Sequence, residues 1–462
     1  MKKTTITTFL TLLLTATGVA QNITGSWNGL LKIGNQLQLH VGLQVEKTDT
    51  GYKVNLASPD QGAAHIPVST FTFNDPNVIF QSDLIKASYA GEYKNDSISG
   101  TFKQGGQSIP LTFYRGEAAK PKRPQEPALP LPYYSEEVTV ENTAANVKLA
   151  GTLTKPQKDG SYPAVILITG SGAQNRDEEL LGHKPFLIIS DYLTRQGIAV
   201  LRYDDRGTAK STGTFSTATS QDFAGDVESA VAYLKTRKDI KQIGLIGHSE
   251  GGVIAPIVAA KNKDVAFIVM LAGTGIRGDK LLLLQTELIS RVEGAPDSAI
   301  AKTTATNKGI FDIILKNEED SIIKKELKAY FIQYGTAHPA DVPAGTTVEQ
   351  FATTQVVQTM KPWPWMKFFI KYDPVTSLKK VKCPVLAVNG EKDLQVPPKE
   401  NLGPIAAALK GNKNVTTKEY AGLNHLFQEC KTGAPSEYAG ISQTFSPIVL
   451  EDISKWINAR VK

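Results

Sequence analysis

The stretch GLIGHSEGGVIAP, Gly244 to Pro256, sets a serine among four glycines at a bend between two apolar runs. A serine hydroxyl is a weak nucleophile until a base can take its proton and a carbonyl can approach it. A sharp strand-to-helix turn meets both needs, provided that glycines two residues either side let the backbone close up. Gly247-His248-Ser249-Glu250-Gly251 has that spacing, after the strand-like QIGLI and before the helix-like GVIAPIVAA. The five-residue motif is weakly specific alone, and its setting of strand, turn and helix makes it decisive. A helix beginning just past Ser249 also aims its N-terminal dipole at the site, where it favours an oxyanion.

Outward from this turn the texture is regular. PAVILITG (Pro163 to Gly170), IAVLRYDD (Ile198 to Asp205), QIGLIG (Gln242 to Gly247), VAFIVMLAG (Val265 to Gly273) and CPVLAVNG (Cys383 to Gly390) are near-continuous apolar runs, as in parallel strands buried on both faces. Helix-like segments lie between them, among them Asp222 to Arg237, whose Phe223, Val227, Ala230, Val231 and Leu234 share one face. The pattern predicts a doubly wound, mostly parallel α/β sheet. Far more chain than a crossover needs separates VMLAG from CPVLAVNG. That interval, about 276–372, reads as an inserted helical cap ending in PWPWMKFFIKYD. Trp363, Trp365, Phe368 and Phe369 either seat the cap on the sheet or form the apolar wall of a pocket.

The nucleophile needs a base. His40 and His65 fall in the N-terminal region, His183 after the first strong strand, and His338 in the cap, while His248 points away from Ser249 on such a turn. His425 remains, in the loop YAGLNHLFQ after a last strand candidate, VTTKEY. An imidazole in that role needs a carboxylate to set its tautomer and stabilise the imidazolium. Asp393, just beyond the Gly390 turn, is preferred to its rival Glu391 as the shorter acid. Oxyanion donors are expected from the backbone N–H of Glu250 and from the Gly170-Ser171-Gly172 loop, Ser171 first and Gly172 second. Asp204, Asp205 and Arg206 read as ties within a turn. Arg176, Asp177 and Glu178 are positioned to meet a charged substrate or the cap, and the Glu250 side chain either anchors backbone or binds a substrate amine.

Residues 21–116 read as a separate β-rich domain, a meander or small barrel, with alternating runs such as LQLHVGLQVEK and YKVNLAS between Gly, Asn-Asp and Asp-Pro turns. It is an accessory domain or a binding module. Prolines recur through 117–135 and make a semi-rigid spacer before the catalytic portion, 136–462. Residues 1–20, MKKTTITTFLTLLLTATGVA, read as a signal peptide cleaved after Ala20, with an apolar run too short to span a bilayer. The net charge of +6, lowered when Lys2 and Lys3 leave, is too mild and too dispersed to argue for nucleic acid. Cys383 and Cys430 are expected too far apart for a disulfide.

ITGSGAQNRDE, LRYDDRGTAKSTG, GHSEGG, VNGEKDLQVP and GLNHLFQ together resemble the secreted bacterial α/β-hydrolases related to dienelactone-hydrolase-like esterases and serine aminopeptidase-like hydrolases. The chain order Ser249, Asp393, His425 is that of α/β-hydrolases. Ala209 departs from the pattern, standing where relatives often have the second glycine of the turn after Arg206. The resemblance implies a carboxylic-ester hydrolase working through an acyl-enzyme on a small-molecule ester, with neither metal nor organic cofactor required. Two alternatives stand: a serine exopeptidase, and a binding protein on a hydrolase scaffold. Oligomeric state is not legible.

Overall fold

The computed structural model describes residues 22–461 apart from 34–36, 60–62 and 118–122. The expected signal segment and its cleavage point lie outside the described residues, as does part of the Pro-rich spacer. The chain forms two compact units, Met1–Lys120 and Pro121–Lys462.

In the first unit, nine strands run antiparallel: β1 (Gly25–Ile33), β2 (Leu37–Thr48), β3 (Gly51–Ser58), β4 (Ala63–Pro67), β5 (Thr70–Asn74), β6 (Asn77–Ser82), β7 (Ala87–Lys94), β8 (Ser97–Gln104) and β9 (Gln107–Arg115). Their spatial order is β4-β3-β2-β1-β9-β8-β7-β6-β5, so the two edges are consecutive in sequence. The link between them touches both sides of the gap: Val68 N–H donates to Val54 O of β3, and Ser69 N–H to Gln81 O of β6. The sheet therefore curls back on itself. Alternate side chains point inward, and Trp27, Phe80, Tyr89 and Phe113 fill the interior.

The second unit opens with a hairpin, β10 (Tyr134–Asn142) and β11 (Val147–Lys155). Six parallel strands follow: β12 (Tyr162–Ile168), β13 (Ala199–Tyr203), β14 (Ile240–His248), β15 (Val265–Leu271), β16 (Val385–Gly390) and β17 (Val415–Tyr420), in the order β10-β11-β13-β12-β14-β15-β16-β17. β10, β11 and β13 pair antiparallel, and the rest of the sheet is parallel. The hairpin was not among the expected buried runs: β10 is an edge strand whose residues alternate in burial, and β11, though mostly buried, mixes Thr152, Thr154 and Lys155 among its apolar residues.

Both faces are covered, as near-continuous apolar strands require. Ala164, Ile166 and Ile168 of β12 pack with α2 (Ser220–Lys235), α3 (Gly251–Ala259) and α10 (Pro398–Ala408). Val165 and Leu167 turn the other way, toward α1 (Pro185–Arg195) and α11 (Pro447–Asn458). Helix α2 starts and ends two residues before the expected Asp222–Arg237. Its start is set by Thr219, whose N–H and hydroxyl both donate to Asp222 Oδ2, at 2.8 and 2.7 Å.

Between β15 and β16 lie α4 (Gly278–Val292), α5 (Asp297–Lys316), α6 (Asp320–Ala337), α7 (Val348–Met360), α8 (Trp365–Lys371) and the short α9 (Val375–Leu378). α5 to α8 share a core of their own, including Phe311, Ile314, Leu327, Phe331, Ala352 and Ile370. Among the described residues no helix is long and apolar enough to cross a membrane. Cys383 and Cys430 are both free thiols.

Candidate active site

β14 ends at His248, α3 begins at Gly251, and the two residues between them make the turn. Ser249 sits there at φ +51°, in the left-handed region that L-residues avoid. Its N–H donates to Leu271 O at 2.8 Å. The flanking glycines are obligatory for reasons of space. A Cβ on Gly247 would lie 2.0 Å from Gly251 O, and one on Gly251 would lie 2.1 Å from Ile168 O.

Asp393 and His425 come from loops after β16 and β17. Gly390 lets these loops converge, since a Cβ there would lie 2.2 Å from Leu423 O. Asn424, fully buried, shapes the His425 loop by accepting from Leu426 N and Gln428 N at its Oδ1. The outcome is a buried contact in which His425 Nδ1 stands 2.8 Å from Asp393 Oδ2. Asp393 Oδ1 accepts from the N–H groups of Gln395 and Val396, at 2.9 and 2.8 Å, so the carboxylate cannot swing away. Glu391 is exposed and accepts instead from Gly422 N at 2.8 Å. Among the described residues no hydrogen bond joins Ser249 Oγ to His425, a contact that often tightens only when substrate binds.

A small pocket opens at Ser249, lined also by Ser171, Glu250, Thr274, Leu281, Phe369 and Val396. Among the described residues the backbone N–H groups of Ser171, Gly172 and Glu250 have no acceptor, and Gly172 takes φ +102°. Free donors beside Ser249 are what an oxyanion developing there would need.

The aromatic cluster divides. Trp363 Nε1–H donates to Asp320 within the cap, and Phe368 stacks on Tyr372. Phe369 lines the pocket, stacked on Trp365 at 5.0 Å. Trp365 Nε1–H donates to Glu250 Oε1 at 2.8 Å, and Ser220 Oγ donates to the same oxygen at 2.6 Å. Burial pushes the Glu250 carboxyl above its usual range, and these two donors pull it back in part. Its side chain anchors the cap, as well as its own surroundings.

In the acid-rich loop after β12, the three residues expected to meet a charged substrate or the cap are instead engaged within the fold. Arg176 donates to Asp204 and Glu137, and Asp177 pairs with Arg202. Glu178 is buried, and its Oε1 accepts Gly170 N–H at 2.7 Å and lies 2.9 Å from His248 Nδ1. Asp205 accepts from Thr169 Oγ1 and Gln174 N, and burial drives its carboxyl well above the usual range. Arg206 is paired with Asp226 at 2.7 Å. The contact between Glu178 and His248 is not legible in the sequence. A glutamate in a polar loop carries no mark of burial, and a histidine facing away from Ser249 looks idle.

The sheet order, the turn at Ser249 and the cap between β15 and β16 together define an α/β-hydrolase fold. The family described as serine aminopeptidase, S33, matches residues 186–325. Esterase EstD of Thermotoga maritima is 26% identical over 335 residues, covering 71% of this chain and 70% of that protein. An esterase of Pyrococcus furiosus covers 72% of this chain and 93% of its own, at 17% identity and TM-score 0.45. Est1E of Butyrivibrio proteoclasticus, bound to ferulic acid, covers 70% and 98%, at 18% identity and TM-score 0.41. At that distance the two solved structures add nothing to what the sheet order states.

Proposed function

We propose that this protein is an exported serine hydrolase that cleaves small carboxylic esters through an acyl-enzyme. The observation that carries the reading is the buried contact between Asp393 and His425, on loops that end beside the strained turn of Ser249. In this scheme Ser249 Oγ attacks the ester carbonyl as His425 takes its proton. The oxyanion is held by the N–H groups of Glu250 and Ser171, with Gly172 next in line, and His425 returns the proton to the leaving alcohol. Water then repeats the sequence on the acyl-enzyme. Asp393 keeps the imidazole in the required tautomer throughout.

The small pocket and its Leu281, Phe369 and Val396 lining support a short apolar acyl group. The similarity to Esterase EstD supports ester chemistry. The serine aminopeptidase match keeps an exopeptidase in view, but the acids that would hold a substrate amine are engaged elsewhere: Glu250 by Ser220 and Trp365, and Glu178 by His248. Export rests on residues 1–20 alone.

The test is a matched panel of short p-nitrophenyl esters and aminoacyl p-nitroanilides, with Ser249→Ala as control and fluorophosphonate labelling of the serine. We expect ester cleavage and labelling in the parent, and neither in the variant. Preferential cleavage of the anilides would replace the esterase reading with a peptidase.

A further inference from the structure

Behind the nucleophile turn lies a buried polar cluster that the chemistry above does not use. His248 presents Nδ1 to Glu178 Oε1 at 2.9 Å and Nε2 to the backbone carbonyl of His425 at 3.0 Å. A carbonyl oxygen and an ionised carboxylate only accept, so both ring nitrogens must carry hydrogen, and the ring is an imidazolium. Placing the proton on Glu178 Oε1 is disfavoured, because that oxygen already accepts Gly170 N–H at 2.7 Å. The two histidine rings stand 4.9 Å apart. The remaining neighbours in the adjoining cavity are apolar, among them Phe186, Ile189, Leu271, Leu426 and Phe445. The titratable groups facing the pair are His425, Asp393 beyond it, and Asp205 toward Glu178.

One carboxylate thereby joins three segments. It holds Gly170, next to Ser171, and it holds His248, next to Ser249. Through His248 it also holds the backbone of His425. Resting on the reading of Ser249 and His425 as nucleophile and base, we propose that Glu178 and His248 are positioning residues, a buried ion pair that pins the base loop to the nucleophile turn and releases it when His248 gives up its ring proton.

The sign follows from the environment. Burial opposes the imidazolium, but the Glu178 carboxylate and the His425 carbonyl outweigh it and hold His248 above the ordinary histidine range. The pin therefore holds while His248 keeps both ring protons against an ionised Glu178, and it fails on the alkaline side as pH rises through that raised value. Loss of either ring proton sets a lone pair against an acceptor about 3 Å away.

The test measures kcat and KM against pH on a short p-nitrophenyl ester for the parent and for Glu178→Gln. The glutamine amide oxygen still accepts from Gly170 and from Nδ1–H, but without the charge His248 stays neutral. We expect the parent kcat to fall on the alkaline side at nearly constant KM. In the variant kcat is lower by roughly tenfold to a hundredfold at neutral pH and the alkaline fall is gone, while Glu178→Asp recovers part of both. An alkaline fall with the same midpoint in the variant, or none in the parent, overturns the proposal. Should Glu178→Gln fail to fold, ¹⁵N NMR of the parent's histidine rings decides at pH 7: two protonated nitrogens at His248 support the pin, and one overturns it. Fluorophosphonate labelling of the same preparation separates the two readings. A labelled Ser249 with an unmoved pH profile removes only the pin, whereas an unlabelled parent removes the nucleophile assignment with it.

Discussion

Ser249 carries the cost of its own backbone conformation. A non-glycine residue at φ +51° is strained by about 1–2 kcal/mol, held there by a sheet strand on one side and a helix on the other. Ser249→Gly is therefore expected to abolish turnover and yet raise stability by about 1 kcal/mol in urea titration. A loss of stability would mean that the hydroxyl, not the backbone, dominates at this position. The acids separate as sharply. Asp393→Asn is expected to lower kcat by about 10⁴-fold, because the amide favours the wrong tautomer of His425. Glu391→Gln should leave kcat within about twofold, because Glu391 meets only Gly422 N–H at the surface. The reverse result would move the orienting acid to Glu391. Ala209, at φ +47°, likewise occupies a left-handed position, which accounts physically for glycine being usual there.

Helix α8 is the element that ties the cap to the turn at Ser249. Through Trp365 it reaches the carboxylate of the residue following Ser249, and through Phe369 it lines the pocket. Trp365→Phe keeps the aromatic bulk and removes one donor to a buried carboxylate, at an expected cost of about 1–3 kcal/mol. The loss should appear as faster proteolytic cutting within α4 to α8 and a higher KM, since α5 to α8 have a core of their own. Unchanged proteolysis and KM would show that Glu250 does not latch the cap. At this scale the strand runs of the parallel sheet were legible because burial on both faces leaves little room for polar residues. The β10–β11 hairpin was not, because β10 is an edge whose residues alternate in burial and β11 buries threonines and a lysine among its apolar residues. The start of α2 turned on one threonine, which periodicity alone does not detect.

Across the second unit, His183 connects the loop after β12 to the chain before α11. Its Nε2 lies 2.9 Å from Tyr438 O and its Nδ1 2.9 Å from Thr444 Oγ1. Burial, aided by the Arg123 charge, pulls its ring down to about 4 from an ordinary 6.5, so it is neutral when folded. Its stabilisation is complete above the unfolded value and is lost as pH falls from there toward 4. The melting temperature should decline across that window in the parent, and less so in His183→Gln. Equal declines would place the acid sensitivity elsewhere.

Apolar periodicity, glycine spacing and chain order determined the α/β class, the strand-turn-helix at Ser249, the cap interval and the short list of candidate partners, because each is a local or linear property of the chain. They also favoured Asp393 over Glu391, two residues apart in the same loop. Only the tertiary structure decided which of these acids meets His425, which acids of the 176–178 loop turn inward, and that His248 faces two acceptors. These depend on backbones from distant parts of the chain converging, as at Gly390 and Leu423 or at Gly251 and Ile168. A linear pattern records the polarity of a side chain and is silent on the partner that awaits it across the fold.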